Sequence, residues 1–173
     1  MEKKTTSQNK TPGPAPAMIV IGIDPGVARL GYGVIKVEKG VNTPLCYGCI
    51  ETKAGRRQAE RLLEIYTEIT ALFGRYPPNS LAIEKLFFSK NVTSAMSVSE
   101  VRGVILLAAE QHGVPVEEYT PNQIKQAITG SGRADKAQVQ EMIRRLLHLD
   151  EIPQPDDAAD GLSIALCHIH IMR

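Results

Sequence analysis

Short apolar runs that stop at an acidic residue constrain this chain most. Ile19 to Ile23 is one, closed by Asp24-Pro25-Gly26, and Ser80 to Glu84 is another. Runs of this length bounded by turn residues read as buried strands. Between them, Gly31 to Val37 and Leu45 to Thr52 are two more strand-like segments, separated by Lys39-Gly40 and Asn42. Three strands so close together predict an antiparallel meander. From Gln58 to Phe73, Leu62, Leu63, Tyr66, Ile69 and Phe73 recur at helical spacing, and Pro77-Pro78 closes the segment. A strand reached through that helical crossover is favoured parallel to an earlier one, the first strand being the natural neighbour. Adjacent parallel strands end on the same sheet edge, so Asp24 and Glu84 are expected to meet there, where ligand sites of open α/β sheets usually lie.

The remaining sequence alternates in the same way. Val92 to Gln111 predicts a helix, Val114 to Tyr119 a fifth strand, Pro121 to Ile128 a short helix, and Asp135 to Leu147 a longer one. The last helix begins near Asp156 and runs to about Ile171. Within its first turn Asp157 and Asp160 stand at i and i+3 on one face, at the dipole end that favours anions.

Taken singly, each of these acids has an ordinary explanation. Asp before Pro-Gly is a turn signal, Glu at a strand end is a surface residue, and Asp-Asp before Ala-Ala caps a helix. The order of strand-end Asp, strand-end Glu and Asp-x-x-Asp on the final helix is harder to obtain from capping alone. Carboxylates gathered in such places need compensating charge, and a hard divalent cation with oxygen ligands supplies it, which points to magnesium.

The rest of the chain sets bounds. Its 173 residues suit one domain with a substantial core, and no apolar run approaches the length of a membrane span. Residues 1–17 carry Lys, Thr, Ser, Gln, Pro and Gly without the hydrophobic region of a signal peptide, and read as a disordered N-terminal extension before a domain at 18–173. Met18 opens the first strand so directly that an alternative start there fits the sequence. The net charge of +1 includes three lysines against one glutamate in that extension, so the remainder carries about minus one. The total therefore does not announce a nucleic-acid partner. Any such binding depends on basic residues placed around the acids, among them Arg56, Arg57, Arg61, Lys85, Lys90, Arg102, Lys125, Arg133 and Lys136. Singly, each of these reads as a solvated surface residue. Three cysteines without a secretion signal point to a reducing compartment and a cytoplasmic location. Cys46 and Cys49 form a C-x-x-C, but zinc would need Cys167, His168 or His170 from the far end of the chain, and buried thiols are the simpler reading.

Five ordered motifs carry a resemblance. Gly22-Ile23-Asp24-Pro25-Gly26, Ala82-Ile83-Glu84-Lys85-Leu86-Phe87, Val101-Arg102-Gly103-Val104, Lys125-Gln126-Ala127 and Asp156-Asp157-Ala158-Ala159-Asp160 resemble the RuvC crossover-junction endonucleases of bacteria. The similarity runs from Met18 almost to the C-terminus and includes all four acids. The seventeen-residue extension departs from the family's usual start at the first strand.

The resemblance implies an α/β, ribonuclease H-like fold, a five-stranded mixed sheet flanked by helices on both faces. It further implies a homodimer that resolves four-way (Holliday) DNA junctions in recombination and repair, nicking two strands of like polarity with magnesium, for which manganese can substitute. Asp24, Glu84, Asp157 and Asp160 would be the catalytic metal ligands, with Asp24 bridging two ions about 4 Å apart. Lys125 and Lys136 match lysines that the family places near the scissile phosphate, and Lys85 and Arg102 join them as expected DNA contacts. Phe87, three residues past Glu84, would stack on an unpaired base at the junction centre, although composition alone gives it an equal claim to the core. The loop Gly130-Ser131-Gly132 could offer N–H groups to a phosphate, yet it lacks the pattern of a P-loop. The apolar stripe Val98, Val101, Ile105 and Ala108, with small residues at Ala95 and Gly103, ordinarily packs on a sheet, but the family uses this helix for its dimer interface. The RuvA and RuvB branch-migration proteins are the further partners the resemblance raises.

Three other functions compete. An actin-like or sugar-kinase ATPase needs a duplicated domain for which this chain has no room. A ribonuclease H acting on RNA–DNA hybrids would keep the acids and differ in substrate, and a non-catalytic junction-binding module would be marked by a missing carboxylate. All four acids are present.

Overall fold

The computed structural model describes residues 16–85 and 92–172, with 92–94 described through their backbone only. Phe87, Lys90 and residues 1–15 of the expected extension lie outside the described residues. Ten elements follow in order: β1 (Met18–Asp24), β2 (Arg29–Glu38), β3 (Val41–Glu51), α1 (Gln58–Arg75), β4 (Ser80–Glu84), α2 (Val92–Gln111), β5 (Val116–Tyr119), α3 (Pro121–Thr129), α4 (Lys136–Leu146) and α5 (Asp156–Ile171). They build a five-stranded sheet of order β3-β2-β1-β4-β5. β1, β2 and β3 pair antiparallel, whereas β1–β4 and β4–β5 are parallel. The expected mixed sheet and the β1–β4 neighbourhood are therefore found.

Alternation along the strands sorts side chains onto two faces. Ile21, Ile23, Leu81 and Ile83 point to one, where Ile65, Ile69 and Phe73 of α1 and Val101, Ile105 and Ala108 of α2 cover them. Val20, from the other parity of β1, packs with Ile143 of α4 and Leu162, Ala165 and Leu166 of α5. Ala82 likewise meets Tyr119, Ile124 of α3 and Ile164 of α5. Helices thus cover both faces.

Some local details depart from the sequence reading. Leu63 is 63% exposed, and the buried stripe of α1 runs instead through Ile65, Ile69, Leu72 and Phe73. At 100° per residue Leu63 points away from that stripe. Asn42 does not interrupt β3 but pairs with Val37. β5 begins at Val116, after Pro115, and Asp135 is the N-cap of α4, its side chain accepting from the Gln138 N–H while Gln138 reaches back. On the edge strand, the β2–β3 register shifts beside Pro44, a combination that blunts an open sheet edge.

Close backbone contacts at three glycines set the position of α5. A Cβ on Gly31 would collide with the Asp157 carbonyl oxygen, one on Gly22 with the backbone of Gly161 and Ala165, and one on Gly161 with the backbone of Tyr32. The helix therefore rests on β1 and β2 backbone to backbone, a closeness that only glycine permits.

Candidate active site

Strand parity decides where the two strand-end acids point. Asp24 shares the parity of Gly22, and Glu84 that of Ala82, so both side chains leave the sheet on the α5 face. The glycine contacts hold the start of α5 against that edge. Asp24, Glu84 and Asp160 consequently line one cavity of about 300 Å³, together with Lys125 of α3 and Lys136 of α4. The expected meeting of Asp24 and Glu84 is found, and Asp160 joins them.

Electrostatics agree with crowding of like charge. Burial, followed by the neighbouring Glu84, pushes the Asp24 carboxyl up to about 7, and Asp157 adds to the effect. Asp160 is pushed up to about 6, chiefly by burial, with Lys136 opposing and Asp24 and Asp157 adding. Glu84 is also raised by burial, while a hydrogen bond from Asp24, Arg102 and Lys125 pull it back. Two carboxyls this close resist ionising together, so Asp24 and Glu84 titrate as a pair.

Asp157 is placed differently from its helical neighbour. Its Oδ2 lies 2.9 Å from Arg29 Nε, and Arg29 also reaches Glu51 Oε1 at 3.5 Å. Lys136 Nζ sits 3.0 Å from Asp156 Oδ2 and 3.7 Å from Asp160 Oδ2. Among the described residues no three acidic or imidazole side chains converge as ligands of one metal ion. Arg29 holds Asp157, and Lys136 lies beside Asp156 and Asp160 instead. The donor set nevertheless fits a hard divalent cation: all donors are carboxylate oxygens, burial raises Asp24, Glu84 and Asp160, and a cation relieves that cost.

The other expected contacts divide. Lys125 and Lys136 face the cavity, and Lys85 is exposed just after Glu84. Arg102, expected to touch DNA, spends its guanidinium within the fold on the Glu84 carbonyl and the Glu118 carboxylate. The loop after α3 is also internally engaged, since Gly132 N–H donates to Gln126 Oε1 and Ser131 N–H to Thr129 Oγ1. Arg56 and Arg57 pair with Glu60, and Arg56 also with Glu64. Cys46 and Cys49, three apart on one strand, face opposite sides, and Cys167 is buried against Ala82 and Tyr119, so they form no common site.

Three structural residues of the site had little sequence signal. Arg29 anchors Asp157 across a distance of 128 positions, which no local pattern encodes. Gly31 and Gly161 admit α5 to the sheet; the Gly-Tyr-Gly within β2 and the glycine directly after Asp160 were the available hints.

Comparison with known proteins gives consistent results. The family described as crossover junction endodeoxyribonuclease RuvC matches residues 20–168. The crossover junction endodeoxyribonuclease RuvC of Desulfitobacterium hafniense (strain DSM 10664 / DCB-2) is 53% identical over 153 residues, covering 88% of this chain and 93% of that protein. That of Heliobacterium modesticaldum is 51% identical over 153 residues, covering 88% and 94%. The solved structure of Thermus thermophilus RuvC in complex with Holliday junction substrate superposes with a TM-score of 0.86 at 38% identity, covering 90% of this chain and 95% of that one.

Proposed function

Because the chain belongs to the RuvC family of crossover junction endodeoxyribonucleases, we propose that Asp24, Glu84, Asp157 and Asp160 hold magnesium for the hydrolysis of two strands of like polarity at a four-way DNA junction. The activity is that of a Holliday junction resolvase in DNA recombination and repair, carried on a ribonuclease H-like fold. The observation that carries the assignment to these residues is the gathering of Asp24, Glu84 and Asp160 around one cavity with two lysines. Bound there, magnesium or manganese supplies water activation and shielding of phosphate charge.

The chain's own residues account for the rest. Asp24 and Glu84, fixed at strand ends, define one side of the ligand set, and Asp160 the other. Asp157 completes it or orients the attacking water, held meanwhile by Arg29. Lys125 and Lys136 offset negative charge that builds on the phosphate and on the departing oxygen. Lys85 adds a phosphate contact at the rim, and Phe87 stacks on an unpaired base at the junction centre.

A homodimer follows from the substrate, because a symmetric cut needs two sites related by a two-fold axis. Exposed Met96, Leu106 and Leu107 of α2 and Leu63 of the adjoining α1 support an interface on that side. The RuvA and RuvB branch-migration proteins are proposed partners in junction processing. Action in the cytoplasm belongs to the same reading, and no described helix is long and apolar enough to cross a membrane.

The test is cleavage of a synthetic four-way junction beside linear duplex and RNA–DNA hybrid, with magnesium and with chelator. Paired symmetric nicks in the junction alone, lost with chelator, are the expected result. Cutting of the hybrid instead would move the activity to ribonuclease H.

A further inference from the structure

Arg102 approaches the active-site edge from the wrong side for a DNA contact. It rises from α2, which covers the face of the sheet opposite to α5, whereas the Asp24 and Glu84 carboxyls point toward α5. Its side chain is 11% exposed, and both terminal nitrogens are engaged: Nη1 donates to the Glu84 carbonyl oxygen and Nη2 to Glu118 Oε1. Glu118 pairs with Ile83 in the β4–β5 ladder, a register that turns its side chain toward α2. Beyond Glu84 the ladder closes with the Lys85 N–H donating to the Tyr119 carbonyl at 2.7 Å. The last residue of β4 is therefore gripped at its carbonyl by α2 and at the following amide by β5.

We infer that Arg102 is a positioning residue that fixes the Glu84 carboxylate by clamping its backbone from the reverse face of the sheet. The inference rests on the reading of Glu84 as a metal ligand. A planar fork with donors in fixed directions can hold a carbonyl and a carboxylate together, whereas a lysine offers one rotating point charge. Groups that orient a metal ligand from behind typically carry about 10- to 100-fold in metal affinity or rate. Glu118 orients the fork in turn, so Arg102 and Glu118 act as a unit.

The experiment compares wild type with Arg102→Gln, Arg102→Lys, Glu118→Gln and Glu84→Gln. Manganese binding is measured on the DNA-free protein, junction binding in chelator, and junction cleavage with magnesium. Arg102→Gln should weaken manganese binding and slow cleavage by about 10- to 100-fold, with most of the loss retained in Arg102→Lys and a smaller loss in Glu118→Gln. Junction affinity in chelator should change by less than about twofold, because no phosphate contact is removed. Wild-type manganese affinity in both Arg102→Lys and Glu118→Gln would overturn the inference. A junction affinity that falls as far as the rate would also overturn it, returning Arg102 to phosphate binding. Should Arg102→Gln fail to fold, Glu118→Gln alters only a partly exposed carboxylate and carries the comparison. If Glu84→Gln binds manganese like wild type, the metal-ligand reading fails, an outcome separate from the behaviour of Arg102.

Discussion

Asp24 and Glu84, the last residues of neighbouring parallel strands, turn their carboxyl groups into one cavity, where burial raises both and they titrate as a pair. Asp24 is pushed up to about 7 and Asp160 to about 6, from a usual 3.8. A carboxyl raised on folding binds its proton more tightly in the folded state. Its contribution is fully present below the unfolded value and is lost as pH rises through the folded value. The metal-free protein should therefore lose stability between about pH 4 and pH 7 from these two groups. Magnesium should raise the melting temperature more at about pH 8 than at about pH 5.5. Asp24→Asn should melt above wild type without metal at the higher pH and gain less from magnesium. Its cleavage should fall roughly a hundredfold or more, while junction binding persists. Thermal melts at the two pH values, with and without magnesium, check the first part, and retained cutting by the variant would remove Asp24 from the site.

Lys136 Nζ lies 3.7 Å from Asp160 Oδ2, and it opposes the rise of that carboxyl. Lys136→Met removes this opposition, so Asp160 should protonate at higher pH. Single-turnover cleavage should slow about a hundredfold, and the pH at which activity falls on acidification should move upward. Rates measured across pH give both numbers, and an unmoved acid limb would detach Lys136 from Asp160.

Gly31 stands against the Asp157 carbonyl with no room for a side chain. Gly31→Ala must lift the first turn of α5, and overpacking of this kind costs roughly 1–3 kcal/mol or more. A melting temperature lower by about 3–10 °C should result, with cleavage reduced at temperatures where the variant is folded. Gly74 on α1 is the control, since an added Cβ there meets nothing within 4 Å. Gly74→Ala, in the last turn of α1, should be neutral or stabilising by at most about 0.5–1 kcal/mol.

A buried chain of hydrogen bonds joins three elements: Tyr119 Oη to His168 Nδ1 at 2.7 Å, and His168 Nε2 to Ser80 Oγ at 2.9 Å. Burial lowers the His168 pKa, Glu117 opposing weakly. The unfolded chain then takes the proton first, so stability is present above the unfolded value of 6.5 and is lost as pH falls below it. His168→Gln keeps hydrogen-bonding capacity without titrating. Its deficit relative to wild type in urea unfolding should shrink from about pH 7.5 to about pH 5.5, a difference in which the carboxylate contributions cancel. Tyr119→Phe strands one buried partner and should cost about 1–3 kcal/mol.

Much of this arrangement was legible because strand ends are local signals. Ser80 to Glu84, Val92 to Gln111 and Asp156 to Ile171 are bounded by prolines, acids and changes of period, and the elements have those limits. The pairing of β4 with β1 followed from a crossover rule, and it carried Asp24 and Glu84 to one edge. Leu63 misled because a leucine beside Leu62 fits a helix pattern one residue out of phase, which only packing resolves. The partners of Arg102 and Arg29 were beyond sequence reasoning for another reason: the Glu84 carbonyl and the Glu118 and Asp157 carboxylates come from other elements. Asp157 and Asp160 share a helix face, yet Arg29 draws one of them aside.

A joint between helix and sheet made of bare backbone has no rotamers to rearrange. Where α5 meets β1 and β2 through Gly22, Gly31 and Gly161, the gap is set by atomic radii alone. The acids from sheet and helix thus form a template of fixed spacing, stiff against changes elsewhere in the core. In the proposed function, adaptation to a distorted phosphate backbone would fall to the long, jointed stems of Lys125 and Lys136, which ride on α3 and α4 outside that joint.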